Sequence, residues 1–119
     1  MTTIATIANK TGISSYNIRF YEKEGLLSIP RTKTGIRNFD IDSETRLYAI
    51  RHYRRAGLSL AQIKEIFANT DNHEMIIEVL KDRKSEMKKE LYELETSMAY
   101  LEKKIKIHKE RLKSQREVI

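Results

Sequence analysis

The sequence predicts a mostly α-helical chain, a winged helix-turn-helix domain joined to a long C-terminal coiled-coil dimerisation helix. Three observations carry this. The four glycines (Gly12, Gly25, Gly35, Gly57) and the one proline, Pro30, all lie in the first half of the 119 residues. Two short amphipathic segments meet at a Gly turn near residue 12. Beyond residue 80, apolar residues recur in a 4-3 spacing with no helix breaker among them. The expected division is residues 1–69 for the winged helix-turn-helix domain and 70–119 for the long C-terminal helix.

The first helix is expected over about Thr3–Lys10, with Ile4, Ile7 and Ala8 on one face and Gly12 beyond its end. Ser14 suits the cap of a second helix, about Ser15–Glu24, which Gly25 stops. Leu26–Pro30 and Ile36–Phe39 then flank a polar loop containing Gly35 and read as the two arms of a hairpin. Pro30, lacking an N–H, must sit at an edge or a strand start. Asp42 is the expected cap of a third helix, about Ser43–Ala56. Ser59 and Gln62 form a capping box for a fourth, about Leu60–Ala68. Asn69–Asn72 is the linker, and Asp71 with Glu74 reads as the capping box of the last helix. Its seam alternates between two heptad positions. Leu80, Met87, Leu94 and Leu101 occupy one, and Leu91, Met98, Ile105 and Leu112 the other, with Lys84 and His108 as polar interruptions. The alternative is a helix folded back on its own domain.

Lysine and arginine number 23 against 17 acidic residues, a net charge of +6, so a polyanionic partner is a first expectation. The charge is segmented. Residues 1–69 carry a net +5, residues 71–102 a net −4 and residues 103–119 a net +5. The first segment is therefore the better candidate for phosphate contact. In the long helix, parallel pairing sets like charges side by side, whereas antiparallel pairing sets opposite charges together. An antiparallel homodimer is expected. A helix over residues 73–112, about 60 Å long at 1.5 Å per residue, would hold two readers on opposite ends about a two-fold axis.

The chain has no cysteine, which excludes disulfides, thiolate metal sites and thiol redox sensing. His52, His73 and His108 are far apart in sequence and form no ligand-spaced cluster, so neither a metal nor another cofactor is expected. No apolar run is long enough to span a membrane, and residues 1–6 lack the features of a secretory signal, so a cytoplasmic chain is expected. A Gly-rich phosphate loop and a nucleophile motif are both absent, which argues against an enzyme.

Residues 4–12, Ile4-Ala5-Thr6-Ile7-Ala8-Asn9-Lys10-Thr11-Gly12, and the later run Ile18-Arg19-Phe20-Tyr21-Glu22-Lys23-Glu24-Gly25-Leu26-Leu27 resemble the MerR family of transcription regulators. Gly35-Ile36-Arg37-Asn38-Phe39 is similar to that family's wing motif, which more often has tyrosine where Ile36 and Phe39 stand. Arg54–Ile63 resembles its next helix pair. The resemblance covers roughly residues 3–68. It implies an antiparallel dimer on a pseudo-palindromic promoter element of double-stranded DNA. It also implies bending or untwisting of that element so that RNA polymerase can use it, a readout of shape as well as of bases. An architectural or excisionase-like DNA-bending factor is the alternative within DNA binding, and a coiled-coil adaptor the alternative outside it.

The resemblance assigns roles to residues. Arg19, Tyr16 and Asn17 fall on the recognition helix, where base edges are read, and Tyr21 can place its hydroxyl on a phosphate. Arg37 is the wing's phosphate contact, with Arg31 and Lys33 beside it, and Arg51 and Arg54 add contacts to the backbone. Phe20 and Tyr21 are also candidates for the core. Small aldehyde- or redox-responsive members, which the segment Ala99–Ile105 also resembles, often carry a sensing cysteine where His52 aligns. Either the chain works without a thiol or it has lost the sensing residue.

Overall fold

Helix α1, Ile4–Thr11, begins where the Thr3 hydroxyl accepts a hydrogen bond from the Thr6 N–H. It ends where Gly12 takes a φ of 74°, a left-handed conformation that only glycine adopts without strain. These are elements of a computed structural model that describes residues 2–117. Met1, at the start of the first expected segment, and Val118 and Ile119, at the end of the second, lie outside the described residues. Helix α2, Ser15–Lys23, is capped by the Ser14 hydroxyl, as expected. The turn between α1 and α2 is held from inside. Buried Thr11 donates its hydroxyl to the Ile7 carbonyl at 2.7 Å and accepts the Ile13 N–H at 3.2 Å, so its polar group costs little to bury.

Helix α3, Ile41–Arg55, corrects one expectation. Its cap is Asp40, not Asp42. The Asp40 carboxylate accepts the Ser43 N–H at 2.8 Å, and Ser43 Oγ accepts the Asp40 N–H at 3.0 Å and donates to the Asp40 carbonyl. The short Ser43 side chain, only 2% exposed, closes this box. Asp42 and Glu44 instead lie in the first turn, where negative charge favours the helix dipole. Helix α4, Leu60–Ala68, has the expected Ser59–Gln62 capping box.

Isoleucine and leucine fill the space between these helices. Ile7, Ile18, Leu47, Ile50 and Ile63 are each fully excluded from solvent, one or two from each helix. Burying each such side chain is worth about 1.5–3 kcal/mol. Polar contacts then fix the angles. Tyr48 Oη donates to the Lys10 carbonyl at 3.3 Å, and Lys10 Nζ pairs with Glu44 at 2.8 Å, both joining α1 to α3. Arg46 donates from Nη1 to the Leu26 carbonyl at 3.3 Å, and its guanidinium lies 4.2 Å from the centre of the Phe67 ring. One side chain thus bridges α3, the segment after α2, and α4.

The expected hairpin is reduced to one antiparallel bridge, Arg31 with Arg37, and the described residues contain no extended strand. The bonds that close it run from Thr32 N–H to the Ile36 carbonyl (2.7 Å) and from Asn38 N–H to the Pro30 carbonyl (2.8 Å). Pro30 contributes only its acceptor, which resolves the conflict between a proline and a ladder. The arms stop there because Phe39 turns away to bond Thr2 (3.1 Å) and Asp40 immediately starts α3.

Helix α5 spans His73–Glu117 without interruption. Its cap is Asn72, whose Oδ1 accepts the Met75 N–H at 3.2 Å, and not the expected Asp71–Glu74 box. Asn69 N–H to Ile66 and Asn72 N–H to Asn69 form successive turns that carry the chain one residue further before the helix begins. The chain forms two compact units, one running to Val79 and the other starting at Leu80, so the first turns of α5 belong to the first unit.

The hydrogen bonds from Ser43 hold the Asp40 carboxyl below its ordinary pKa of 3.8. A lowered folded-state pKa stabilises the fold above the ordinary value, and the contribution is lost as pH falls through the lowered one. Asp40→Asn keeps a capping side chain but does not titrate. Thermal melts are expected to show wild type ahead of Asp40→Asn near pH 6, with the gap closing towards about pH 2–3.

Candidate nucleic-acid interface

Buried Ile18 fixes the rotation of α2, and that rotation decides which residues face out. Tyr16, Arg19, Phe20 and Lys23 follow the 3-4 spacing of a single helical face, and all four are exposed, Tyr16 at 76%. Asn17 is exposed in the first turn, beside N–H groups that carry the positive end of the helix dipole. Phe20 is exposed rather than part of the core, because Ile18 already occupies the inward position and Phe20 is two residues on. Tyr21 is half-buried, with its ring 6.0 Å from that of Phe20.

The wing joins this face through one carboxylate. In the bridge, the closing hydrogen bonds flank Arg31 and Arg37, which makes them the pair whose side chains stand closest across an antiparallel ladder. Two guanidinium groups are therefore pressed together on one face, where like charges repel. Glu22 of α2 resolves this. Its Oε1 accepts from Arg31 Nη2 at 2.7 Å and from Arg37 Nε at 3.0 Å. The Glu22 side chain is 17% exposed, those of Arg31 and Arg37 41% and 25%. One negative charge neutralises half of the pair and leaves the wing net positive. Lys33, at the loop tip, is exposed.

Arg51 of α3 reaches the helix-turn-helix junction. A Cβ built on Gly12 would lie 3.4 Å from the Arg51 guanidinium, so that group covers the turn between α1 and α2. Arg54 is directed otherwise. Its Nη1 donates to the Leu58 carbonyl at 3.0 Å and secures the turn between α3 and α4. The structure thus gathers Tyr16, Asn17, Arg19 and Tyr21 on α2, ties Arg31 and Arg37 to that helix, and sets Arg51 against its leading turn.

Sequence reasoning passed over Glu22 and Arg46. An acid inside an otherwise basic stretch was the available signal for Glu22. Nothing in the sequence marked Arg46, whose partners, Leu26 and Phe67, come from two other segments of the chain. His52 is exposed, and no cluster of three metal-ligating side chains occurs among the described residues. The expected dimerisation residues lie on α5, none of whose residues is fully buried. Met87, Leu91, Leu94, Met98, Leu101, Ile105 and Leu112 are 40–62% exposed, and Leu80 is half-buried.

The arrangement of two short helices, a tied wing and a helix pair is matched by known proteins. Residues 2–70 match the MerR HTH family regulatory protein model, and residues 44–104 match the MerR DNA-binding model. The chain belongs to the MerR family. An HTH-type transcriptional regulator of Haemophilus influenzae is 32% identical over 108 residues, 87% of this chain and 80% of that protein. A MerR family transcriptional regulator of Listeria monocytogenes superposes with a TM-score of 0.76 at 30% identity, over 88% of this chain and 83% of that one. HiNmlR, a MerR family regulator lacking the sensor domain and solved bound to promoter DNA, superposes with a TM-score of 0.72 at 31% identity. That match covers 82% of this chain and 77% of HiNmlR. The chain spans about half the length of several other curated relatives it matches. It is a MerR-family DNA-binding transcription regulator, and its relatives are transcriptional regulators. Among the described residues, no helix is long and apolar enough to cross a membrane.

The Glu22–arginine contact is open to a double-mutant cycle. Glu22→Ala, Arg31→Ala and the double variant are expected to give a coupling of about 0.5–1 kcal/mol by urea denaturation, modest because Arg31 is largely exposed. A coupling of zero would mean that the carboxylate does not hold the wing.

Proposed function

We propose that this regulator binds double-stranded DNA as a homodimer, on a pseudo-palindromic promoter element, and acts by bending or untwisting it for RNA polymerase. The observation that carries this reading is the union of an exposed α2 face with a wing that one carboxylate fixes beside it. Arg19 is the base-reading candidate, since its fork fits the two major-groove acceptors of guanine. Tyr16 and Asn17 flank it one turn earlier. Tyr21, Arg31, Lys33 and Arg37 are phosphate contacts, with Arg51 supporting the helix-turn-helix junction and Arg54 contributing through whichever donors its turn leaves over. HiNmlR, the neighbour bound to promoter DNA, supports the same use of the fold here.

Residues 1–69 act as the reader and 70–119 as the dimerising element in this proposal. Two readers held apart by paired α5 helices about a two-fold axis match the symmetry of a palindromic operator. A wing and a recognition helix tied together grip successive grooves as one body, so fitting both halves of a dimer to one operator deforms the DNA between them.

Footprinting on promoter DNA is expected to show one palindromic site between promoter elements. Arg19→Ala is expected to weaken specific binding about 10–100-fold and to relax preference at one base pair per half-site. Arg37→Ala is expected to weaken specific and non-specific DNA alike and to flatten the salt dependence. Dispersed protection without a preferred site would favour an architectural factor instead. Unchanged binding by both variants would overturn the assignment of these residues.

A further inference from the structure

On either side of the α5 seam runs a row of charged residues, and the two rows behave differently. On one side, Arg83 Nη1 and Nη2 pair with Glu90 at 3.1 and 3.2 Å, and Nη1 also pairs with Glu86 at 3.1 Å. Arg83 and Glu90 on that side are thus engaged within their own helix. The other row repeats every seven residues as Glu74, Lys81, Lys88, Glu95, Glu102 and Lys109. All six are exposed, and none enters an ion pair among the described residues. Along the helix their signs read minus, plus, plus, minus, minus, plus. Reversed end to end, every sign is inverted.

We propose that α5 pairs with α5 of a second copy in one antiparallel register, in which Glu74 meets the partner's Lys109, Lys81 meets the partner's Glu102, and Lys88 meets the partner's Glu95. This rests on the dimer reading above and specifies it. The two-fold axis crosses near Tyr92, and the overlap runs from Glu74 to Lys109, about 54 Å at 1.5 Å per residue. Six complementary pairs form per dimer, with no like-charge pair in this row. Flanking charges of this kind select register and orientation in coiled coils.

The seam agrees with that register. Leu80 faces the partner's Ile105, Met87 faces the partner's Met98, and Leu91 faces the partner's Leu94. Lys84 faces the partner's Leu101, where its aliphatic stem covers the leucine while the ammonium reaches water. His108 faces the partner's Ile77. A slip of one heptad either way brings like charges together. In one direction Lys81 meets the partner's Lys109 and Glu95 meets its own copy. In the other, Glu74 meets the partner's Glu102 and Lys88 meets its own copy. Parallel pairing instead sets this row against the other flank of the partner's seam, and that too brings like charges together, Arg83 against the partner's Lys88, Glu90 against the partner's Glu95 and Lys104 against the partner's Lys109.

The chain supports a direct test, because it contains no cysteine. Met87→Cys/Met98→Cys is expected to oxidise to a covalent dimer, and neither single variant is, since residue 87 of one copy faces residue 98 of the other. Lys81→Glu is expected to raise the dimer dissociation constant about tenfold, and adding Glu102→Lys to restore it to within about threefold of wild type. A covalent dimer from Met87→Cys alone would mean parallel pairing, and efficient cross-linking of Met87→Cys/Ile105→Cys instead would mean the slipped register. Either overturns the proposal, as does a double charge variant weaker than either single one. Wild type that sediments as a monomer at tens of micromolar would overturn the dimer reading itself.

Discussion

Arg31 and Arg37 stand opposite each other because the wing is closed by a single bridge and the hydrogen bonds fall on their neighbours. That register sets the two cationic side chains on neighbouring positions of one face. The Glu22 carboxylate, 2.7 and 3.0 Å from them, is what makes the register tolerable. Since Glu22 is on α2 and Ile18 locks α2 into the core, the same contact transmits the position of the helix to the wing. Arg51 over the Gly12 turn and Arg46 across Leu26 and Phe67 then hold α3 against both. The positive surface is thus a supported arrangement rather than a scatter of flexible side chains. A reader whose parts are held together loses less entropy on docking.

The two compact units obey different rules. The first buries isoleucine and leucine from four helices and satisfies its buried polar groups internally. The second is a helix with a half-exposed apolar stripe, a surface that is costly to leave against water. Its cover, in the proposal advanced above, is another copy of itself. The two flanks separate the tasks within one helix, since Arg83 on one side is held by Glu86 and Glu90 while the six charges of the other row are, in that proposal, available to a partner.

Local signals were legible wherever they depended on nearest neighbours. Thr3, Ser14 and Ser59 act as caps from residues within one turn, and the glycine after α1 takes the left-handed conformation its position requires. The apolar stripe of α5 was legible because a 4-3 repeat on one continuous helix falls on a single face. Misreadings arose where two local solutions competed. Asp40 and Asp42 both suit an N-cap, and the choice fell to Asp40 because buried Phe39 directs the chain and Ser43 can close the box. Asn72 displaced Asp71 for a similar reason, two tight turns advancing the helix start. Phe20 reads as core by composition, yet the inward position of α2 was already taken by Ile18.

By itself the sequence determined the order of the helices, their caps in three of five cases, the family, and the charge pattern along α5, because each is encoded in residues within about two turns of one another. Tertiary structure alone decided that the hairpin would shrink to one bridge. It also decided that Glu22 would serve two arginines 9 and 15 residues away, and that Arg46 would join three segments. Those outcomes depend on how far apart packed elements come to rest, and that separation is set by the buried side chains between them.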